Sequence, residues 1–217
     1  MSGLVLYSYW RSSAAYRVRL ALNLKQLDYR IEAVHLARDG GEHRRQAYLD
    51  LNPQGLVPLL VDGEQTISQS LAIIEYLEET RPLPALLPPA AADRARVRSL
   101  AQIIACDIHP LDNLRVTQYL KHELNIGADA GSAWYAHWIQ TGFEALEKRL
   151  ARDPETGEFC HGDQPGLADV FLVPQIYNAL RFEIDMSPYP TLRRILDACN
   201  VLDAFRRAAP EAQPDAA

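Results

Sequence analysis

The chain has 217 residues, enough for one large domain or two small ones at roughly 150 residues per domain. It is 48% hydrophobic and 23% charged with 11 Gly and 14 Pro, which excludes a disordered or collagen-like chain. Its 22 Lys plus Arg stand against 28 Asp plus Glu, a net charge of −6 with no basic block, and this speaks against nucleic acid or an anionic membrane as partner.

Leu4 to Tyr7 reads as a short buried strand. Ser12 and Ser13 follow as N-cap residues before a run in which Ala14, Val18, Ala21 and Leu22 recur at helical spacing. Tyr29 to His35 alternates as a second strand, and a β-α-β start implies a parallel pair. Glu42 to Leu51 is predicted as a short helix that stops before Asn52-Pro53. Leu59 to Val61 and Gln65 to Ile67 flank Asp62-Gly63, a hairpin signal, and Ser70 opens a helix whose Leu71, Ile74 and Leu77 face one way. The predicted order is β-α-β-α-β-β-α over residues 1–81.

Pro82, Pro84, Pro88 and Pro89 forbid a regular helix and mark a stiff linker over residues 82–90. Every strong pattern in residues 91–217 is helical. Val97, Leu100, Ala101, Ile104, Ile108 and Leu111 form one stripe, Ile139, Phe143, Leu146 and Leu150 another, and Val170, Val173, Tyr177 and Leu180 a third. Pro110 and Pro174 fall inside stripes, where each removes an i to i−4 hydrogen bond and predicts a kink. From Ala208 onward the composition predicts a frayed end.

Cys106, Cys160 and Cys199 are odd in number and widely spaced, which supports neither a disulfide framework nor a metal site and fits a reducing compartment. The N-terminal apolar run is too short for a signal sequence, and no run approaches the roughly 18 apolar residues of a membrane span. A soluble, cytoplasmic protein is expected.

A hydroxyl at a helix N-terminus sits among backbone N–H groups that lack intrahelical partners, at the positive end of the helix dipole, and can stabilise a thiolate there. No cysteine precedes Cys106, so a thiol acting at Ser12 or Ser13 has to come from a cofactor. Gln69-Ser70 offers an N-cap hydroxyl and the same field to a carboxylate. Val57-Pro58 lies where a proline must occupy the first position of a strand, and the residues alone leave its bond cis or trans.

Taken together, Arg11-Ser-Ser-Ala-Ala-Tyr-Arg-Val-Arg-Leu-Ala-Leu22, Asn52-Pro-Gln-Gly-Leu-Val-Pro58 and Ser68-Gln-Ser-Leu-Ala-Ile-Ile-Glu-Tyr-Leu-Glu-Glu79 resemble zeta-class glutathione transferases. That family includes maleylacetoacetate isomerases and bacterial glutathione-dependent maleylpyruvate isomerases. The likeness continues through Asp107-Ile-His-Pro-Leu-Asp-Asn113, Leu172-Val-Pro-Gln175, Arg181-Phe182 and Pro188-Tyr-Pro190, nearly the whole chain.

The resemblance implies the glutathione transferase fold: an α/β thioredoxin-like glutathione-binding domain over 1–81, the linker, and an all-α substrate domain over 91–217. It implies a cis Val57-Pro58 bond and glutathione as cofactor, with one of Ser12 and Ser13 donating to the sulfur. Gln69 and Ser70 would hold the γ-glutamyl end, and the backbone of Val57 would pair with the cysteinyl part like an added strand. His43, His109 and Asn113 match positions near glutathione. Arg11, Arg115 and Arg181 match positions near substrate carboxylates, with Arg11 and Arg181 joining the serines in catalysis. A guanidinium grips a carboxylate through two parallel bonds, each worth roughly 1.5–3 kcal/mol, so a small dicarboxylate is expected.

The implied activity is glutathione-dependent cis-trans isomerisation of a maleyl-type diacid in aromatic amino acid catabolism, by a homodimer. The alternatives are a general transferase or dehalogenase of small α-halo acids, or a non-catalytic glutathione-binding module. This sequence departs from the family at Ala14 and Ala15, where most zeta-class members carry a cysteine and a serine. The maleylpyruvate branch lacks that cysteine too, and Leu202 to Pro210 looks closer to that branch. Gly166 also replaces the usual Ser or Thr three residues before Asp169, a change tolerated at an N-cap for tenths of a kcal/mol.

Overall fold

The alternation of buried and half-buried residues in Leu4–Ser8 makes β1 the inner strand of a four-stranded sheet ordered β2-β1-β3-β4. In the computed structural model, which describes residues 3–216, β2 (Tyr29–Ala33) runs parallel to β1 with Leu6 opposite Ile31. The chain returns antiparallel as β3 (Leu59–Asp62), with Leu60 opposite Leu6, and turns through Gly63 into β4 (Gln65–Ser68). Gly63 takes φ 60°, the left-handed conformation that this tight turn needs.

Helix α1 (Ser13–Leu24) is buried almost all round, from Ala15 through Asn23, because the sheet is not its only neighbour. It packs against α3 (Ser70–Thr80) and against α10 (Asp203–Ala208). The single helix predicted over Glu42 to Leu51 is instead a 3-10 turn, Glu42–Arg44, and a one-turn helix, α2 (Gln46–Leu49), separated by extended Arg45 at ψ 143°. Tertiary packing overrides local propensity there: His43 is buried on the first piece, while Tyr48 on the second joins Tyr9, Val34 and Val57 in one apolar cluster.

The chain divides into two compact units. One comprises the described residues up to Leu86 together with those from Val201 on; the other is Leu87–Asn200. The division falls inside the proline-rich linker. The last segment departs from expectation twice, since it packs with the sheet-bearing unit rather than with the helical residues before it, and it is not frayed. Asn23 Nδ2 donates to the Ala204 carbonyl at 3.0 Å, and Gln213, itself buried, donates to the carbonyls of Arg207 and Ala209 at 2.9 and 2.8 Å. Polar side chains of the first unit supply what an apolar count does not see.

The Leu87–Asn200 unit is helical: α4 (Ala91–Gln102), α5 (His109–Asp112), α6 (Leu114–His122), α7 (Ala128–Arg152), α8 (Leu167–Arg181) and α9 (Pro190–Asn200). Between α4 and α5 the residues Ile103–Ile108 form a π-helical turn rather than a simple kink, and the His109 N–H reaches back to the Ile104 carbonyl. Pro110 has no N–H to give Cys106, so the turn widens before it. Pro174 sits inside a continuous α8 that is buried on nearly every face, with Ile176 and Ala179 inward and Leu180 exposed. Gly166 caps α8 as its backbone N–H donates to Asp169 Oδ2 at 2.9 Å, while Asp169 Oδ1 takes the Cys160 N–H at 2.9 Å. Burial pushes the Asp169 carboxyl above its usual range. No helix among the described residues is long and apolar enough to cross a membrane.

Candidate functional site

Sheet register brings three of the predicted segments of the first unit to one end of the strands. Tyr7 at the C-terminal end of β1 pairs with Leu59 at the start of β3, and Leu59 pairs with Ser68 at the end of β4. The segments that continue from these strand ends carry Ser12-Ser13, Val57-Pro58 and Gln69-Ser70.

Ser12 is the N-cap of α1, and its Oγ accepts the Ala15 N–H at 3.2 Å. Ser13 is the first helical residue and is buried. Arg11 is exposed, its guanidinium 4.8 Å from the centre of the Trp10 ring. The helix from Ser70 has its cap at Gln69, not at Ser70: Gln69 takes φ 70° and makes no side-chain cap, so the Ser70 hydroxyl stands at the first helical position. Ser70 Oγ accepts from Arg17 at 3.5 Å, and Gln69 Nε2 donates to Gln54 Oε1 at 2.8 Å. The start of α3 is thus tied through side chains to the second turn of α1 and to Gln54.

The Val57-Pro58 bond is cis, as the resemblance implied; Leu83-Pro84 is cis as well, which the sequence did not announce. Val57 precedes the ladder of β3, and the residue before it is held twice, the Leu56 carbonyl accepting from Tyr48 Oη at 2.6 Å and from Asn52 Nδ2 at 2.8 Å. Burial and the Tyr7 hydroxyl push the Tyr48 phenol up to about 12 against the Asn52 hydrogen bond, so it stays protonated and donating. His43 is buried, and its Nδ1 has no hydrogen-bond partner within the protein. Burial, then the Arg44 charge, lowers its pKa and keeps the ring neutral.

The helical unit carries the other four predicted residues. His109 begins α5, with Nδ1 3.8 Å from Asp112 Oδ1 and Nε2 3.4 Å from Asn113 Nδ2. Asn113 caps α6 as its Oδ1 accepts the Arg115 N–H at 3.1 Å, and the Arg115 side chain is exposed. Arg181 closes α8, its guanidinium 4.8 Å from the centre of the Phe182 ring. Phe182 stacks on Tyr135 at 3.8 Å between centroids. Burial and then the Asp112 carboxylate push the Tyr135 phenol up, with Arg181 beside it opposing. His109, Asn113, Asp112, Tyr135 and Arg181 are therefore one connected group.

The supporting residues Asp112, Tyr135 and Tyr48 went unnoticed in the sequence. Asp112 alone left a signal, standing three residues after His109 on a helical pattern, a spacing that puts both on one face. Among the described residues no group of three or more His, Cys, Asp or Glu could hold a metal ion.

The family model described as the glutathione S-transferase N-terminal domain matches residues 11–80, and the one for the C-terminal domain matches residues 117–198. A probable maleylacetoacetate isomerase of Vibrio cholerae is 54% identical over 216 residues, covering 100% of both chains. A holo structure of a maleylpyruvate isomerase, a bacterial zeta-class glutathione S-transferase, is 52% identical with a TM-score of 0.95 and covers 98% of this chain and 100% of its own. A maleylacetoacetate isomerase structure from Methylobacterium extorquens with bound malonate and glutathione is 42% identical with a TM-score of 0.94, covering 98% of this chain and 99% of its own.

Proposed function

The chain belongs to the glutathione S-transferase family, and on that premise we propose that it is a glutathione-dependent isomerase converting a maleyl-type diacid, maleylacetoacetate or maleylpyruvate, to its fumaryl isomer. The observation that carries this reading is the gathering of the α1 N-terminus, the α3 N-terminus and the cis Val57-Pro58 bond at one end of the sheet's strands. Glutathione has an anion at each end of its reactive half, and the residues fit it. The start of α3, with Gln69 and Ser70, suits a carboxylate, and the start of α1, with Ser12 and Ser13, suits a thiolate. The buried, unpartnered Nδ1 of His43 fits a polar ligand in the same unit.

Glutathione held there would supply a thiolate nucleophile for reversible addition to the cis double bond, the C–S bond formed on addition being broken again on release of the trans isomer. Ser12 and Ser13 keep negative charge on the sulfur favourable by hydroxyl and backbone N–H donation. The Val57 backbone, ahead of the ladder, is available to pair with an extended peptide. His109 and Asn113, on the helical unit, match family positions near glutathione and would offer it polar groups. Arg11, Arg115 and Arg181 are exposed guanidiniums suited to carboxylates, and they stabilise charge that moves into the conjugated carbonyl during addition. Arg11 and Arg181 each have an aromatic ring beneath them, which restricts the guanidinium to fewer orientations.

We further propose a homodimer, as the family resemblance implies, acting in the cytoplasm in aromatic amino acid catabolism; the three free cysteines fit a reducing compartment. Light scattering should return twice the 24.4 kDa chain mass. Turnover of maleylpyruvate, maleylacetoacetate and dichloroacetate, each with and without glutathione, tests the activity. A higher kcat/KM on a maleyl acid, abolished without glutathione, is the expected result. Preference for dichloroacetate would make the protein a dehalogenase, and failure to bind immobilised glutathione would overturn both.

A further inference from the structure

The segment after Val201 reaches back to the turn that carries Ser12 through fixed polar links. Asp215 Oδ2 accepts the Trp10 backbone N–H at 2.9 Å. Arg19 on α1 is fully buried, and its guanidinium divides its donors between that segment and the turn. Nε goes to the Ala208 carbonyl at 3.0 Å, one terminal nitrogen to the Trp10 carbonyl at 2.9 Å, and the other to Ser8 Oγ at 3.1 Å and the Tyr9 carbonyl at 3.5 Å. The same Tyr9 carbonyl accepts the Ser12 N–H at 2.9 Å, so Arg19 acts one bond away from the N-cap.

We infer that Arg19 and Asp215 form a clamp that positions the Ser12-Ser13 turn, making the 201–216 segment a working part of the sulfur site; this rests on the glutathione reading above. The physics requires such a device. A helix N-terminus stabilises an anion only within its first turn, and its N–H groups must point at the ligand to do so. Between the end of β1 and the start of α1 the chain has only residues 9–12, and no ladder holds them. A guanidinium is planar, always charged and carries five donors in a fixed fork, so one side chain can fix three consecutive residues and a distant carbonyl together. An unpaired buried charge is strongly unfavourable, which makes the acceptors' positions as determined as the donor's. Trp10, gripped at its N–H by Asp215 and at its carbonyl by Arg19, also lies under the Arg11 guanidinium, so the same clamp steadies a residue proposed for the substrate.

The test uses the full chain and Arg19→Lys, Asp215→Ala and Asp215→Asn. Two quantities are read: the Kd of glutathione by calorimetry, and the ionisation of its bound thiol, followed by thiolate ultraviolet absorbance against pH. Arg19→Lys keeps the charge and loses the fork, so any change reports position rather than field. We expect it to weaken glutathione by about fivefold or more and to move the thiol's ionisation toward that of free glutathione. Asp215→Ala should do the same to a smaller extent, while Asp215→Asn, which retains an acceptor oxygen, should restore the parent behaviour. If Arg19→Lys does not fold, the Asp215 pair decides alone. Variants that melt at lower temperature yet bind and ionise glutathione as the parent does would overturn the clamp and leave the functional reading intact. A parent protein that binds no glutathione would overturn that reading and the clamp with it.

Discussion

Gln175 Nε2 donates to Asp112 Oδ2 at 2.9 Å, joining the middle of α8 to the end of α5 between two buried side chains. The carboxylate also faces His109 and Tyr135, so it organises the polar group that ends at Arg181. Asp112→Ala strips a buried donor of its acceptor, which costs about 1–3 kcal/mol. Urea unfolding should show that loss as a lower midpoint with unchanged slope. A loss under a few tenths would mean that water replaces the carboxylate.

Lys25 holds the start of the linker. Its fully buried Nζ meets Glu78 Oε2 at 2.7 Å and donates to the carbonyls of Arg81 and Pro84 at 2.8 and 3.0 Å, while Glu78 accepts the Leu86 N–H at 3.1 Å. Breaking a buried pair from one side leaves an uncompensated charge, about 3–5 kcal/mol, whereas removing both partners is far milder. Lys25→Met should therefore destabilise more than Lys25→Met with Glu78→Leu. A double-mutant cycle that came out additive would contradict the pairing.

Ser12 and Ser13 have distinguishable fates. Ser12→Ala removes a side-chain cap from α1 and should lower stability by about 1 kcal/mol along with activity. Ser13→Ala leaves the Ser12 cap in place, and glutathione-dependent turnover compared with its melting temperature is what tests the Ser13 hydroxyl. If both single variants and the double variant turn over maleyl acid at the parent rate, neither hydroxyl serves the sulfur.

Much of this was legible in the chain because it was written in short-range chemistry. Asp62-Gly63 specifies a turn whatever surrounds it, and Leu71, Ile74 and Leu77 specify a face. What escaped was settled by distant partners. Glu42 to Leu51 has a helical composition, yet burial of His43 and Tyr48 in different places breaks it at Arg45. Arg17 and Arg19 look like solvent-facing residues of α1, yet both are buried on different sides of it, Arg17 against Ser70 of α3 and Arg19 against Ala208 of α10. The Ser70 hydroxyl moved from cap to first helical position because Gln69 adopts a left-handed backbone, which a glutamine does not advertise. The resemblance singled out His109 and Arg181 but not the carboxylate and phenol beside them.

Acid should release one contact in the first unit. Burial pushes the Asp62 carboxyl up, but the hydrogen bonds from Arg81 and Tyr76 and the Arg81 charge outweigh it, and its pKa lies below the usual range. A carboxyl lowered by folding contributes stability that is complete above its unfolded value of about 3.9 and is lost as pH falls through the folded value. The contact is partly screened, so the contribution is on the order of 1 kcal/mol or less. Parent and Asp62→Asn should thus differ at neutral pH and converge as acid, below the unfolded carboxyl value of about 3.9, protonates the folded carboxyl. A gap that widened in acid would reverse the assignment.

Gly41 lets His43 lie where it does. Gly41 takes φ 102°, and a Cβ there would run into the Cε1 and Nδ1 of the His43 ring, the face that carries the unpartnered nitrogen. Gly40, at φ 79°, has nothing within 4 Å of where its Cβ would stand. Alanine at either position meets a left-handed backbone, costing about 1 kcal/mol or more, but only Gly41→Ala must also displace the imidazole. Gly41→Ala should lose more stability than Gly40→Ala in thermal unfolding, and only Gly41→Ala should weaken glutathione, to the level of His43→Ala. Combining Gly41→Ala with His43→Ala should add nothing further to the loss of affinity. Equal glutathione affinity in the Gly40 and Gly41 variants would mean that the position of His43 does not matter to the ligand.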